Sequence, residues 1–463
     1  MNGHMMEAAR AEVRNKFGAA LEAKASDQMI IKLAGLSLPG AEAAIPTQGA
    51  ILEFHPENLG ERARTAQAAI EEMPTYRQFQ ESIREAAPEV RRQSSSHSLV
   101  RAHLVQDAKS RFHQNSRSVR EALEKAESAT VGAAAIEAAG PAGPVVETCW
   151  LNGTMRSVST SPALAEVAGD ENLKYLDVPR RLVLDISETP GVIGAPALRQ
   201  QSETTGEGIV VAVIDTEVAV AHPAFGGRAE QKANLSSQAL GSPSRHGTGV
   251  AGIIASEDSE FTGVAPGATI FAYKIFPSGT DFEGALAIQT ALENGAHVAN
   301  CSWGAGLASD GTSREAVACN NAWGLGLTIV KSAGNRGPGG QTLTTPADAE
   351  GVIVVGATGR DGSRVEDYSS RGPTSDGRHR PHLVAPGGTR FVQGITSTAP
   401  LGGFADAGPG TSFATAHVSG LLALLLEADP VLGPDELRTA ILASCTPLAG
   451  GAVDDQGSGL PGF

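Results

Sequence analysis

The sequence predicts an α/β fold over residues 191–463: a mostly parallel sheet with helices on both faces. A small α+β domain and a helical N-terminal region precede it. Two observations lead there. Through the C-terminal part, short continuous apolar runs alternate with helical stretches, and strands buried on both faces of a parallel sheet read as such runs. Upstream, a shorter zone reads strand, turn, strand, helix, strand, the rhythm of a small antiparallel unit.

The chain is too long for one ordinary domain at 463 residues, and its 41% hydrophobic and 19% charged residues are those of a soluble globular protein. Aromatics make up only 4%, so the core rests on Ala, Val, Leu and Ile, while 55 glycines imply many tight turns. With 51 acidic against 36 basic residues the net charge is −15, which argues against nucleic-acid or anionic-membrane partners. Local basic stretches at Arg91-Arg92 and 371–380 read as solvated loops. Residues 1–18 contain no secretory apolar core, and the longest apolar run, 418–426, is too short to span a bilayer. Cys149, Cys301, Cys319 and Cys445 lack metal-type spacing, so they are expected as reduced thiols in a cytoplasmic protein, or a secreted one if a leader was removed.

Three zones follow in order. Residues 1–95 mix helix-like Ala/Glu/Arg stretches with an apolar piece at 29–38 and carry no assigned role. Residues 96–190 begin with one long helical pattern, 99–126, and pass a Gly/Pro loop at 140–144. They continue as a strand at 145–151, a turn at Asn152-Gly153, a strand at 155–158, a helix at 162–168 and a strand at 173–184. Asn-Gly supplies the positive φ angles of a two-residue hairpin. The third zone has strands at 209–214, 269–275, 297–300, 328–332 and 352–357, and helices at 247–255, 282–294, 313–323, 412–427 and 434–444. In such sheets ligands bind beyond the carboxyl ends of the strands, near a topological switch point.

Four segments carry candidate chemistry. An apolar strand delivers Asp215 at its carboxyl end; alone, this is as readily a loop or capping residue. His246 opens a helix of small residues, a position more often structural than catalytic. Ser412 sits in the first turn of an apolar helix, where free N–H groups and a positive partial charge favour an oxyanion, although a plain N-cap serine reads the same. Asn335 ends a further strand, where its amide could donate to an oxyanion or simply turn the chain.

Their joint occurrence decides. Asp215-Thr216, His246-Gly247-Thr248, Ala333-Gly334-Asn335 and Gly410-Thr411-Ser412-Phe413-Ala414, in that order, resemble the subtilisin-like (subtilase) serine peptidases over residues 205–463. Gly263-Val264-Ala265-Pro266, Ser302-Trp303-Gly304, Ser369-Ser370-Arg371-Gly372-Pro373 and Ala385-Pro386-Gly387 fall in family order too. The resemblance implies a subtilisin-like fold and an endopeptidase with Ser412 as nucleophile, His246 as general base and Asp215 orienting it. Asn335 and the Ser412 N–H would hold the oxyanion. It also implies that a protein or peptide substrate lies extended against Ser302, Trp303 and Gly304, flanked by Gly334.

Three residues depart from the family pattern: Glu217 and Gly249 stand in place of the usual Gly and His, and Ala416 in place of Pro. Glu217 is expected to point to solvent, and none of the three to abolish activity. No cofactor is required; calcium is allowed for at the acidic stretch Glu257-Asp258-Ser259-Glu260, which looks shorter than the family's calcium loop. Residues 96–190 resemble the inhibitor-like propeptides of subtilases. They are expected to act as an intramolecular inhibitor released by self-cleavage between about 184 and 206. The competing readings are a non-catalytic peptide-binding module and a peptide ligase or macrocyclase on the same fold.

Overall fold

The computed structural model describes residues 10–11, 23, 50–54, 59–72, 96–130, 145–157, 164, 167–177, 183–184, 191–307, 310–390 and 394–463. The apolar piece at 29–38, the basic pair Arg91-Arg92 and the loop at 140–144 lie outside them. The chain divides into two compact units, Met1–Asn58 with Val105–Arg180, and Leu59–Leu104 with Arg181–Phe463.

The smaller unit contains a four-stranded antiparallel sheet. Its strands are β1 (Ala50–Phe54), β2 (Val145–Cys149), β3 (Thr154–Ser157) and β4 (Leu173–Asp177), in the order β2-β3-β1-β4. An interior strand of the small sheet comes from the segment given no role, because β1 pairs with β3 and β4 across some hundred residues of intervening chain. The hairpin between β2 and β3 also differs from the expected two-residue turn. Cys149 pairs with Thr154, so four residues make the connection, and only Gly153 takes a positive φ (71°). The expected helix at 162–168 is represented among described residues by Leu164, Val167 and Ala168, with the Ala168 N–H donating to the Leu164 carbonyl.

Among the described residues, three helices lie between β1 and β2 in sequence: α1 (Leu59–Glu72), α2 (Ser96–Asn115) and α3 (Arg117–Thr130). The single helix expected at 99–126 is thus two, parted at Ser116. The strand expected at 173–184 is also two pieces, since β5 (Val183–Leu184) belongs to a different sheet in the larger unit.

That unit is built on seven parallel strands. In chain order they are β6 (Val210–Asp215), β7 (Ala229–Asn234), β8 (Thr269–Lys274), β9 (Val298–Cys301), β11 (Thr328–Ser332), β12 (Ile353–Thr358) and β13 (Leu383–Pro386); the two-residue β10 (Trp303–Gly304) follows β9. The sheet order is β13-β12-β11-β9-β6-β8-β7, with every neighbouring pair parallel. β8 and β9 lie on opposite sides of β6, so the order reverses there, and a ligand crevice is expected at the carboxyl ends of β6 and β9.

Helices α4 (Ala195–Ser202), α5 (Arg245–Ala255), α6 (Asp281–Glu293), α7 (Arg314–Gly324), α8 (Thr411–Ala428) and α9 (Pro434–Ala443) flank this sheet. α5 packs on α8 and α6 on α7. α1 also packs on α7, with Leu59 and Ala63 buried. α8 is long and apolar enough to cross a membrane by composition, but here it is the central core helix, lying over β9, β11, β12 and β13. Glu283 and Thr280 form a reciprocal capping box that fixes the start of α6.

Candidate active site

The residues singled out from sequence converge at the carboxyl edge of the parallel sheet. Asp215 is the last residue of β6 and is fully buried. Its Oδ1 lies 2.6 Å from His246 Nδ1. A carboxylate only accepts, so in the neutral imidazole Nδ1 carries the proton and Nε2 holds the lone pair. The same Oδ1 accepts from the Thr216 N–H (2.6 Å) and hydroxyl (3.1 Å), while Thr216 Oγ1 accepts from the Gly247 N–H at 2.9 Å.

Local sequence explains this docking. Ser244 caps α5, so His246 emerges in its first turn. A Cβ on Gly247 would sit 2.7 Å from the Thr216 carbonyl and 3.1 Å from Asp215 Oδ1, so only glycine lets the helix start this close to the acid. Thr248 Oγ1 accepts from the Ala219 N–H at 3.0 Å, tying the helix to the loop after β6. The His-Gly-Thr motif therefore has a separate physical reason at each position.

Ser412 is the second residue of α8 and is fully buried in the intact chain. Its Oγ donates to the Ser302 carbonyl over a long 3.4 Å, while Ser302 Oγ donates to the Ser412 carbonyl at 2.9 Å. Phe413, next along α8, sets its ring 5.5 Å from the His246 ring. Asn335 follows β11 and turns its carbonyl toward α8: Oδ1 accepts from the Thr411 N–H (2.9 Å) and hydroxyl (3.1 Å). That fixes the amide flip and leaves Nδ2, which makes no hydrogen bond among the described residues, as the available donor. Gly334 has φ +109°, a conformation side-chain-bearing residues avoid, and its N–H donates to Thr411 Oγ1 at 3.2 Å.

Trp303 and Gly304 form β10, which pairs antiparallel with β5: Trp303 opposite Leu184, Gly304 opposite Val183. The Trp303 side chain is fully buried and stands against α6, where a Cβ on Gly284 would come within 2.7 Å of it. Only its backbone is presented to the strand alongside. Sequence reasoning missed Thr411, which orients Asn335, and Asn300, whose Nδ2 donates to Ser302 Oγ at 2.8 Å. Thr411 is visible in the Gly-Thr-Ser motif, which by itself assigns it no role.

One expectation is corrected here. Glu217 does not reach solvent. It is buried, accepts from the Gly241 and Ser242 N–H groups, and pairs with buried Lys274 at 2.9 Å. Burial alone would raise its pKa, but those amides and the ammonium hold it below the usual carboxylate range. At the acidic stretch, Glu257 pairs with Arg228, and Asp258 Oδ1 accepts from the Glu260 and Phe261 N–H groups. In this loop one carboxylate is thus paired with a guanidinium, and one oxygen of Asp258 is used in a turn.

A carboxylate–imidazole pair whose ring lies 5.5 Å from that of Phe413, the neighbour of the helix-start Ser412, at the edge of a seven-stranded parallel sheet, is the setting of an α/β hydrolase. The profile of the subtilase family matches residues 206–459, and the chain belongs to that family. It is a serine-type endopeptidase that acts on protein or peptide substrates. Subtilisin BL of Lederbergia lenta is 33% identical over 275 residues, covering 58% of this chain and 93% of that protein. Serine protease AprX of Bacillus subtilis (strain 168) is 29% identical over 297 residues, 57% of this chain and 67% of its own length. Among solved structures, the prenylagaramide maturation protease PagA is 33% identical, over 58% of this chain and 94% of that one, at a TM-score of 0.49.

Proposed function

We propose that peptide-bond hydrolysis runs through Asp215, His246 and Ser412, and that the chain is a zymogen restrained by its own upstream segment. The observation that carries the catalytic part is the 2.6 Å Asp215–His246 contact, which leaves Nε2 as the base. In this reading Ser412 Oγ attacks the carbonyl carbon of the cut bond and passes its proton to His246 Nε2. The tetrahedral oxyanion is held by Asn335 Nδ2 and the Ser412 N–H at the positive end of α8. His246 then returns the proton to the leaving amine as the C–N bond breaks. Water, deprotonated by the same imidazole, releases the acyl group from Ser412.

Restraint is supported by β5. A segment upstream of the peptidase fold already lies on β10 as an extended antiparallel strand, the mode in which a substrate would bind Ser302, Trp303, Gly304 and Gly334. Ser412 meanwhile has no exposed surface. Self-cleavage is expected just beyond Leu184, the last paired residue, at the N-terminal end of the window 184–206.

The test is to incubate wild type and Ser412→Ala in parallel and record intact masses and labelling by a fluorophosphonate probe. Wild type should split within a few residues of Leu184 and take up one probe, while the variant stays whole and unlabelled. An intact, unlabelled wild type would sink the reading in favour of a peptide-binding module. Products joined end to end rather than hydrolysed would make the chain a ligase.

A further inference from the structure

We propose that a cavity alongside the C-terminal half of α5 is a binding site for a small organic monocarboxylate with an apolar body. The inference goes beyond peptide hydrolysis and does not depend on the catalytic reading above.

The cavity has a volume of about 360 Å³, within the range of roughly 300–1,000 Å³ in which small-molecule pockets fall. α4, α5, the loop at 260–263, Arg360 and β14 (Thr396–Thr398) enclose it. Pro196, Ile253 and Phe261 supply its apolar lining, and the Phe261 ring is stacked on Phe404 with centroids 4.4 Å apart. The wall shared by α5 and β14 is fastened by side chains: Ser397 Oγ donates to the Gly249 carbonyl at 2.8 Å, and Thr398 Oγ1 to the Thr248 carbonyl at 2.7 Å. A Cβ on Gly252 would lie 2.2 Å from Thr398 Oγ1, so glycine is what lets this strand close on the helix. The site is therefore formed before any ligand arrives.

Arg199 of α4 lines this space with only part of its guanidinium in use. Nη1 donates to the Gly263 carbonyl at 2.6 Å and to the Val264 carbonyl at 3.3 Å, which pins the side chain. Nε and Nη2, the edge that grips a carboxylate side-on through two parallel N–H bonds, make no hydrogen bond among the described residues. No described carboxylate pairs with Arg199 either, and burial holds its pKa below the ordinary guanidinium value. A half-buried cation with an open bidentate edge is the feature that calls for an anion. Arg360 adds a second positive charge to the lining, and the exposed Glu260 a negative one. The Thr396 hydroxyl, which makes no hydrogen bond among the described residues, is a further donor.

These charges set the class of ligand. Two guanidinium groups against one carboxylate leave a single positive charge to be met, and a monocarboxylate meets it. A phosphate dianion would bring a second negative charge next to Glu260. An amide of the same shape keeps one acceptor oxygen but sets its NH2 against the Arg199 edge, donor to donor. Pro196, Ile253 and Phe261 then take up the carbon skeleton, which favours an aryl or branched-alkyl acid over acetate. Two sources offer this chemistry, a free organic acid and the C-terminal carboxylate of a cut peptide.

The experiment uses the full chain carrying Ser412→Ala, so that it stays in one piece, and titrates it with 3-phenylpropionate, the corresponding amide and inorganic phosphate. N-acetyl-dialanyl-phenylalanine, with its C-terminus free or amidated, is titrated alongside. 3-Phenylpropionate should bind with a Kd on the order of 0.1–1 mM, and its amide and phosphate about 10–100-fold more weakly. Arg199→Gln should weaken the acid by about the same factor, and Glu260→Gln should tighten it by up to about fivefold. Tighter binding of the peptide acid than of 3-phenylpropionate assigns the site to cut-peptide ends, and weaker binding assigns it to free acids; both support the inference. No saturable binding up to about 10 mM acid overturns it. So does an amide or phosphate that binds as well as the acid, or an affinity unchanged in a folded Arg199→Gln protein. Should Arg199→Gln fail to fold, Glu260→Gln decides together with the acid-to-amide ratio, and an unchanged affinity there overturns the inference.

Discussion

Ser302 and Ser412 hold one another in both directions: Ser302 Oγ donates to the Ser412 carbonyl at 2.9 Å, and Ser412 Oγ donates to the Ser302 carbonyl at 3.4 Å. The contact belongs to a buried chain. Asn300 Nδ2 donates to Ser302 Oγ, and Ser419 Oγ, about two turns further along α8, donates to Asn300 Oδ1 at 3.0 Å. The end of β9 is thereby locked to the start of the helix that carries the proposed nucleophile.

Ser302→Ala should cost about 1–3 kcal/mol, since Asn300 Nδ2 is left buried without its acceptor. A substrate pairs here with backbone, so KM should change little while kcat falls about tenfold as the start of α8 loosens. Urea unfolding and steady-state kinetics check both. A KM effect larger than the kcat effect would place the side chain against the substrate instead.

Glu217 and Lys274 form the second lock. Lys274 Nζ also donates to the Ala239 carbonyl, and the Ser244 N–H donates to the Glu217 carbonyl, so the pair organises the loop that leads into the cap of α5. Lys274→Met should destabilise by about 3–5 kcal/mol, because a buried carboxylate loses its counter-ion. The Glu217 pKa is depressed in the folded state. Its contribution is therefore present above the unfolded carboxylate pKa and is lost as pH falls through the lower folded value. Melting temperatures of wild type and Glu217→Gln should accordingly converge in acid. A gap that persists at low pH would mean the carboxylate charge is not what stabilises the loop.

Arg228 supplies the third. Its guanidinium pairs with Glu257 and donates to the carbonyls of Ala255 and Pro266, closing the ends of the loop after α5 with a cation from the protein itself. EDTA should leave the melting temperature unchanged, whereas Arg228→Gln should lower stability by about 1–3 kcal/mol. A chelator-induced drop of several degrees in wild type would point to a metal elsewhere in the fold.

How much of this could be read beforehand depended on whether the deciding contact was local. The five sheet strands expected from apolar runs stand within a residue or so of their places, because burial on both faces writes itself directly into sequence. β7, not expected from sequence, has the sequence AEQKAN with half-buried and exposed positions only, so an edge strand left no apolar run to find. β1 was missed because its identity as a strand comes from pairing with β3 and β4, far away in sequence. The motif residues were legible as types, but Glu217 was misjudged because its partner lies 57 positions on.

His417 ties acid sensitivity to the helix of the proposed nucleophile. It is fully buried in α8, with Nδ1 2.6 Å from the Phe413 carbonyl, so Nδ1 donates there and Nε2 is buried with no partner. Burial outweighs the carbonyl and pushes its pKa from 6.5 down to about 3. The unfolded chain therefore takes up a proton at a pH where the folded one does not. Stability from the neutral imidazole is complete above pH 6.5 and drains away as pH falls, reaching about 4 kcal/mol of loss near the folded value. Between pH 7 and pH 5, wild type should lose about 2 kcal/mol more than His417→Leu, which keeps an apolar side chain of similar size and has nothing to protonate. Urea unfolding of both proteins at the two pH values measures the difference directly. Equal losses would mean that His417 is solvated or paired on protonation, and that the acid limit of this fold lies with its carboxylates.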